Sequence, residues 1–133
     1  YVLASGLTCS ASESIVNGLR GVGIEVVIVG ETTCGKPYGF HRKDNCGKTY
    51  SAVEFQGVNP AGFGDYNGGF APTCPVTPDA LAHLGDPREA LFAAALHHID
   101  TGSCPAATGS TAFTHKRAID PLAGLEGRLL EPQ

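Results

Sequence analysis

Residues 24–37 read IEVVIVGETTCGKP. The first six are apolar and mostly β-branched, with only Glu25 interrupting. That pattern predicts a strand covered on both faces. The loop after it carries Gly30, Gly35 and Lys36 at the spacing G-x-x-x-x-G-K, so two readings compete: a phosphate loop, or a lysine delivered to the end of a strand for other chemistry. The phosphate reading fails at the next residue. A Mg²⁺ ligand, Ser or Thr, should follow the lysine, and Pro37 stands there with no N–H to offer. The following YGFHRKDNCG has no helical apolar face, so no helix amino end would meet the phosphates. We expect no nucleotide and no cofactor.

Upstream, residues 1–5 (YVLAS) predict a buried strand. Ile15, Val16, Leu19 and Val22 then recur at helical spacing. Ser10-Ala11-Ser12-Glu13 is a capping box, in which the Ser10 hydroxyl accepts from the Glu13 N–H while the Glu13 carboxylate reaches back. Gly21 and Gly23 stop the helix. Strand, helix and strand within about thirty residues form a βαβ unit with parallel strands and a right-handed crossover. The loops leaving both strands then share the carboxyl edge of the sheet, where open α/β sheets place their sites. If the strands are neighbours, ~4.8 Å apart, Ser10 and Lys36 meet at that edge.

A serine hydroxyl becomes a nucleophile when a base takes its proton. A lysine is that base only when neutral, a state that burial favours. Tyr38, Phe40 and Val29 predict such burial for Lys36. The Ala11 N–H, at the helix start, is the natural first donor to a developing oxyanion. Taken singly, Ser10 would only cap a helix and Lys36 would only sit in a solvated loop.

The two motifs together are specific. TCSASE followed by IVGETTCGKPYGF resembles the C-terminal processing (tail-specific) serine proteases, whose nucleophile motif S-A-S-E is followed one strand later by G-E-x-T-x-G-K. The resemblance is firm over residues 1–40. It continues more loosely through NPAGFGDYNGGFAPTCPVT, GDPREALFAAAL and TGSCP, in the manner of a secreted or lipoprotein branch. It implies Ser10 as nucleophile, Lys36 as general base, Ala11 in the oxyanion hole and Glu13 as structural support without a proton-transfer role. It also implies an α/β fold with a crotonase/ClpP-like core of βαβ units, here a partial domain with an added β-hairpin. Two departures stand out. Phe40 occupies the position where many members carry a Gln that orients the lysine. A PDZ-like module, more of the core and the glycine supplying the second oxyanion donor usually precede the serine, and this chain contains none of them.

Downstream, a hairpin is expected from residues 38–40 and 49–55 around an Asp44-Asn45-Cys46-Gly47 turn. An irregular Gly- and Asn-rich segment follows, with Phe63, Tyr66 and Phe70 to pack. A short helix is expected over residues 77–84. A longer one should be capped by Asp86, with Pro87 in its first turn and Glu89 completing a box, and should bury Leu91, Phe92, Ala95, Leu96 and Ile99 before Thr101-Gly102 ends it. Residues 1–104 read as the C-terminal part of a protease catalytic domain, a fragment that can be inactive by itself and can need a partner segment to cover its exposed sheet edge. Residues 105–133 read as a weakly patterned tail in which 122–130 could add a helical turn or two.

Five cysteines in 133 residues is a high count. Metal spacing is lacking: there is no C-x-x-C, and no H-x-x-x-H beside a Cys pair. No metal is expected, and His97-His98, His41, His83 and His115 read as solvated or isolated. Disulfides in an oxidising compartment fit best. Cys34–Cys46 and Cys74–Cys104 are the expected pairs because each brackets a local unit, although the sequence allows others. Cys9 reads as a structural thiol or the partner of an upstream Cys. A net charge of −4 without a basic run argues against nucleic acid. No apolar run approaches the ~20 residues of a membrane span. The chain has no Met and opens on a strand, so an upstream part is expected, with a periplasmic or extracellular location and a lipoprotein anchor through that part. The expected partners are a protein or peptide substrate and the upstream protease segment or PDZ-like module. The competing reading is a non-catalytic binding or assembly module that keeps the protease fold.

Overall fold

The computed structural model describes residues 1–79 and 82–106. Strand β1 (Val2–Ala4), helix α1 (Ala11–Gly21) and strand β2 (Ile28–Gly30) form the expected βαβ unit. The strands are parallel, with Val2 opposite Ile28 and Ala4 opposite Gly30. Strand β7 (Cys74–Pro75) adds in parallel on the other side of β2, so the sheet runs β1-β2-β7. Helix α2 (Ala90–Thr101) packs against β1 and β2.

The apolar run divides its side chains between two cores. Val26 and Ile28 join Ala4, Val16, Tyr66 and Phe70 on one face, with Leu19 of α1 packed beside them. Val27 and Val29 join Cys74, Ala94 and Ala95 on the other. This is the physical content of an apolar run without alternation: a central strand has two faces to bury, each large side chain contributing roughly 1.5–3 kcal/mol. The result is a three-layer α/β arrangement.

Helix α1 is rotated from the expected orientation. Ile15 and Val22 are exposed, and the inward face is Glu13, Val16 and Asn17. Arg20 extends that face one turn further: its guanidinium lies 5.3 Å from the Phe70 ring centroid and donates to the Val26 carbonyl at 3.0 Å. Polar groups with specific partners, not apolar ones, set the rotation. Asn17 Nδ2 donates to the Phe63 carbonyl at 2.9 Å, and Asn59 Nδ2 donates to Asn17 Oδ1 at 3.0 Å. These bonds fasten the glycine-rich segment onto the helix.

The hairpin forms as a nested pair. Strand β3 (Tyr38–Gly39) pairs with β6 (Phe55–Gln56), and β4 (Lys43–Asn45) with β5 (Lys48–Tyr50), all antiparallel. The tight turn is Cys46-Gly47, with φ of 49° and 71°, as a primed hairpin turn requires. Residues 40–56 are exposed throughout.

Helix α2 begins later than expected. Glu89 is its N-cap, accepting from the Leu91 and Phe92 N–H groups at 3.0 and 2.7 Å. Asp86 instead closes a preceding turn, where its carbonyl accepts from Glu89 N–H and its carboxylate pairs with Arg88. Leu91 and Ala95 are buried as expected, together with Ala94, while Ile99 is exposed. Residues 77–79 and 82–84 are not helical, and the rest of that expected helix lies outside the described residues. The expected turns over 122–130 and His115 also lie outside them.

Candidate active site at the carboxyl edge of the sheet

The loops leaving β1 and β2 meet, as parallel neighbouring strands require. Ser10 stands at the strand-to-helix junction with φ 55° and ψ −109°. This is positive-φ backbone that a residue with a Cβ adopts only at a cost of roughly 1–3 kcal/mol. A serine on a sharp strained turn that opens a helix is the geometry of a nucleophile elbow. Behind it, the Ser12 N–H donates to the Cys9 carbonyl and the Ser14 N–H to the Ser10 carbonyl. The Ala11 N–H makes no hydrogen bond within the described residues, so the first donor of α1 is free for another acceptor.

Glu13 joins the two loops. It is 0% exposed, and its carboxylate accepts four hydrogen bonds. Oε2 takes the Ser10 N–H at 2.9 Å and the Lys36 N–H at 2.8 Å. Oε1 takes the Gly35 N–H at 2.7 Å and the Thr33 hydroxyl at 2.6 Å. Burial opposes its ionisation most strongly, but the bonds from Thr33, Lys36, Gly35 and Ser10 together outweigh it and hold the carboxyl below its ordinary value of 4.5. The carboxylate half of the capping box is thus a full hydrogen bond. The hydroxyl half is looser, with Ser10 Oγ facing the Glu13 N–H but short of a cap hydrogen bond.

The lysine loop is held from the other side by residues 67–70. The Thr33 N–H donates to the Phe70 carbonyl at 3.1 Å, and the Phe70 N–H donates back to Thr33 Oγ1 at 2.7 Å. Gly35 and Gly69 interlock at this crossing. Both have φ near 80°, and a Cβ would lie 2.1 Å from the Asn67 carbonyl oxygen at Gly35 and 1.9 Å from that of Thr33 at Gly69. Gly35→Ala should therefore push the Lys36 loop off Asn67 and cost about 2–4 kcal/mol. A urea midpoint unchanged from the parent chain would contradict this contact.

The expectation for the Lys36 side chain is overturned. Lys36 is exposed, and Tyr38 and Phe40, each 41% exposed, do not cover it. The chain after Pro37 leaves the body as the hairpin and carries those rings with it. His41, next to Phe40, pairs with Glu54 at 2.9 Å. Among the described residues the ion pairs use His41, Lys43 and Arg88 and leave the Lys36 ammonium unpaired.

The cysteines correct one expected pairing and match the other. Cys74–Cys104 forms, joining β7 to the segment after α2. Cys34 pairs not with Cys46 but with Cys9, with Cα atoms 5.2 Å apart, and Cys46 is a free, exposed thiol at the hairpin turn. The hairpin carries Cys46 away from the sheet edge, whereas Cys9 and Cys34 leave neighbouring strands there. The placement argument that brings Ser10 to Lys36 also brings Cys9 to Cys34, so the signal was present in the sequence. His98 lies beside the second disulfide, its donor atom and the two sulfurs all within 4.8 Å of one another. As a disulfide those sulfurs are not thiolate ligands, and His98 Nδ1 already shares a 2.8 Å hydrogen bond with the Tyr1 hydroxyl.

An α/β sheet thus carries, at one edge, a strained serine turn clasped to a lysine loop. A candidate S41 protease of Bacteroides fragilis is 28% identical and superposes with a TM-score of 0.68 over 77% of this chain. The fold is therefore S41 peptidase-like. The chain spans only 27% of that protein's length. No family model and no curated protein matches the chain.

Among the described residues no helix is long and apolar enough to cross a membrane. The two disulfides are compatible with a periplasmic or extracellular protein.

Proposed function

We propose that this chain carries the Ser–Lys dyad of a C-terminal processing type serine endopeptidase, within a crotonase-like core, acting on protein or peptide substrates outside the cytosol. The observation that supports this best is the Glu13 clasp, which ties the backbone of Ser10 to that of Lys36 through one buried carboxylate. In the reaction, Lys36 Nζ takes the proton of Ser10 Oγ as the oxygen attacks the scissile carbonyl carbon. The Ala11 N–H donates to the oxyanion that forms. The lysine then returns the proton to the leaving amine, and water, deprotonated in the same way, releases the acyl group. The second oxyanion donor, and the cover that would favour a neutral lysine, fall to the rest of such a protease domain. In this reading residues 1–104 belong to that domain and 105–133 are an appended tail.

An activated serine displaces fluoride from a fluorophosphonate, forming a Ser–O–P bond. Intact-mass analysis at alkaline pH should find a single adduct at Ser10 that Ser10→Ala removes. The exposed Lys36 and the Phe40 departure favour one competing reading, a binding or assembly module that retains the fold. A protein that joins this chain to the rest of such a domain and still takes up no adduct would decide for it.

A further inference from the structure

The Glu13 clasp has a covalent counterpart whose position suits a regulatory bond. Cys9 directly precedes Ser10, and Cys34 lies two residues before Lys36, so the disulfide between them closes the two catalytic loops onto each other. The Cys34 N–H reinforces the closure by donating to the Thr8 carbonyl at 3.0 Å. We infer that Cys9 and Cys34 are positioning residues of the Ser10–Lys36 site, and that their disulfide is the one a dithiol reductant opens first, loosening the site while the fold persists. This rests on the Ser–Lys reading of the site.

Selective opening follows from the surroundings of the four sulfurs. A dithiol attacks the more accessible sulfur of a pair, and the other departs as a thiolate. In the first pair, Cys34 is exposed and Cys9 is half-buried. Cys9 would leave immediately before the amino end of α1, where backbone N–H groups and the helix dipole favour a thiolate. Cys34 Sγ lies 3.8 Å from Glu13 Oε2, and that carboxylate disfavours negative charge on Cys34, so the electrons go to Cys9. In the second pair the exposed sulfur is Cys104, and the leaving group would be Cys74, fully buried among Val27, Val29, Ala94 and Ala95. An apolar pocket disfavours that thiolate and slows the exchange. The balance is complete with the reductant: one S–S bond breaks, two thiols form, and the dithiol becomes a cyclic disulfide. Both hydrophobic cores lie outside the opened bond.

The test titrates the full chain with dithiothreitol, alkylates, and maps the modified cysteines, measuring fluorophosphonate labelling of Ser10 at each step. Cys9 and Cys34 should be alkylated before Cys74 and Cys104, and the labelling rate should fall roughly 10- to 100-fold in step and recover on reoxidation. The double variant Cys9→Ala/Cys34→Ala should label slowly at every reductant concentration. Cys74→Ala/Cys104→Ala should lower the Tm yet label at the parent rate, which separates positioning from general stability. Opening of Cys74–Cys104 first, or equal labelling of the oxidised chain and the Cys9/Cys34 variant, overturns the inference. Absence of labelling in the oxidised chain counts against activity of this chain without the rest of a protease domain. The clasp then stands or falls on amide exchange at Ser10, Gly35 and Lys36, which must accelerate on reduction.

Discussion

Replacing Lys36 by alanine should slow phosphonylation of Ser10 by about 10²–10⁴-fold, the usual contribution of a positioned general base. It should also abolish the rise in rate with pH, because only the neutral amine accepts the serine proton. Lys36→Arg should be as slow as the alanine variant, since a guanidinium keeps its proton throughout the accessible range. Labelling rates between pH 6 and 10, followed by intact mass, supply the measurement. Identical rates and identical pH profiles in parent and variant would remove the dyad. The exposure of Lys36 places this chain at the lower end of the range.

The second large effect belongs to Glu13. Glu13→Ala leaves the Ser10, Gly35 and Lys36 N–H groups and the Thr33 hydroxyl without the acceptor they share. Charge-assisted bonds contribute roughly 1.5–3 kcal/mol each, and orphaned donors near the surface recover part of that from water. A net loss of about 3–5 kcal/mol is expected, together with loss of Ser10 labelling. Denaturant unfolding followed by circular dichroism would measure it, and a loss under about 1 kcal/mol would contradict the clasp. Glu13→Gln keeps the shape but gives up the charge and should fall between.

The same carboxylate sets an acid limit. Its folded-state pKa lies below the ordinary 4.5, so the folded state prefers the ionised form. Its contribution to stability is complete above about pH 4.5 and is lost as pH falls through the folded value. Glu54, held low by Lys43 and then His41, acts in the same window, and Asp86, held low by Arg88, in a lower one that starts from its ordinary 3.8. Those are surface pairs, which salt screens, whereas the buried Glu13 bonds are screened much less. Acid unfolding in high salt should therefore retain a component that Glu13→Gln removes.

Much of this architecture was legible in the residues. An apolar run without alternation, preceded by a capped helix and a short strand, specifies a βαβ unit because a central strand must bury two faces and a parallel neighbour needs a crossover. The same unit places the two loops, and with them Ser10 and Lys36, at one edge of the sheet. The Thr101-Gly102 stop was equally local, since glycine supplies the left-handed angle there, whereas the turn expected over Asp44-Asn45-Cys46-Gly47 tightened to Cys46-Gly47, with Asp44 and Asn45 paired in β4.

What the sequence determined by itself was therefore the βαβ unit, its parallel pairing and the edge at which its two loops meet, all consequences of periodicity and turn chemistry acting over short distances. The tertiary structure alone decided the rotation of α1 toward Glu13, Val16 and Asn17, the second role of Glu13 as clasp, and the exposure of Lys36. It also decided that His98 lies beside the second disulfide. Each of these depends on which distant groups arrive at a given face. A buried carboxylate needs donors, and besides the local Ser10 N–H the donors it found came from a loop twenty or more residues away.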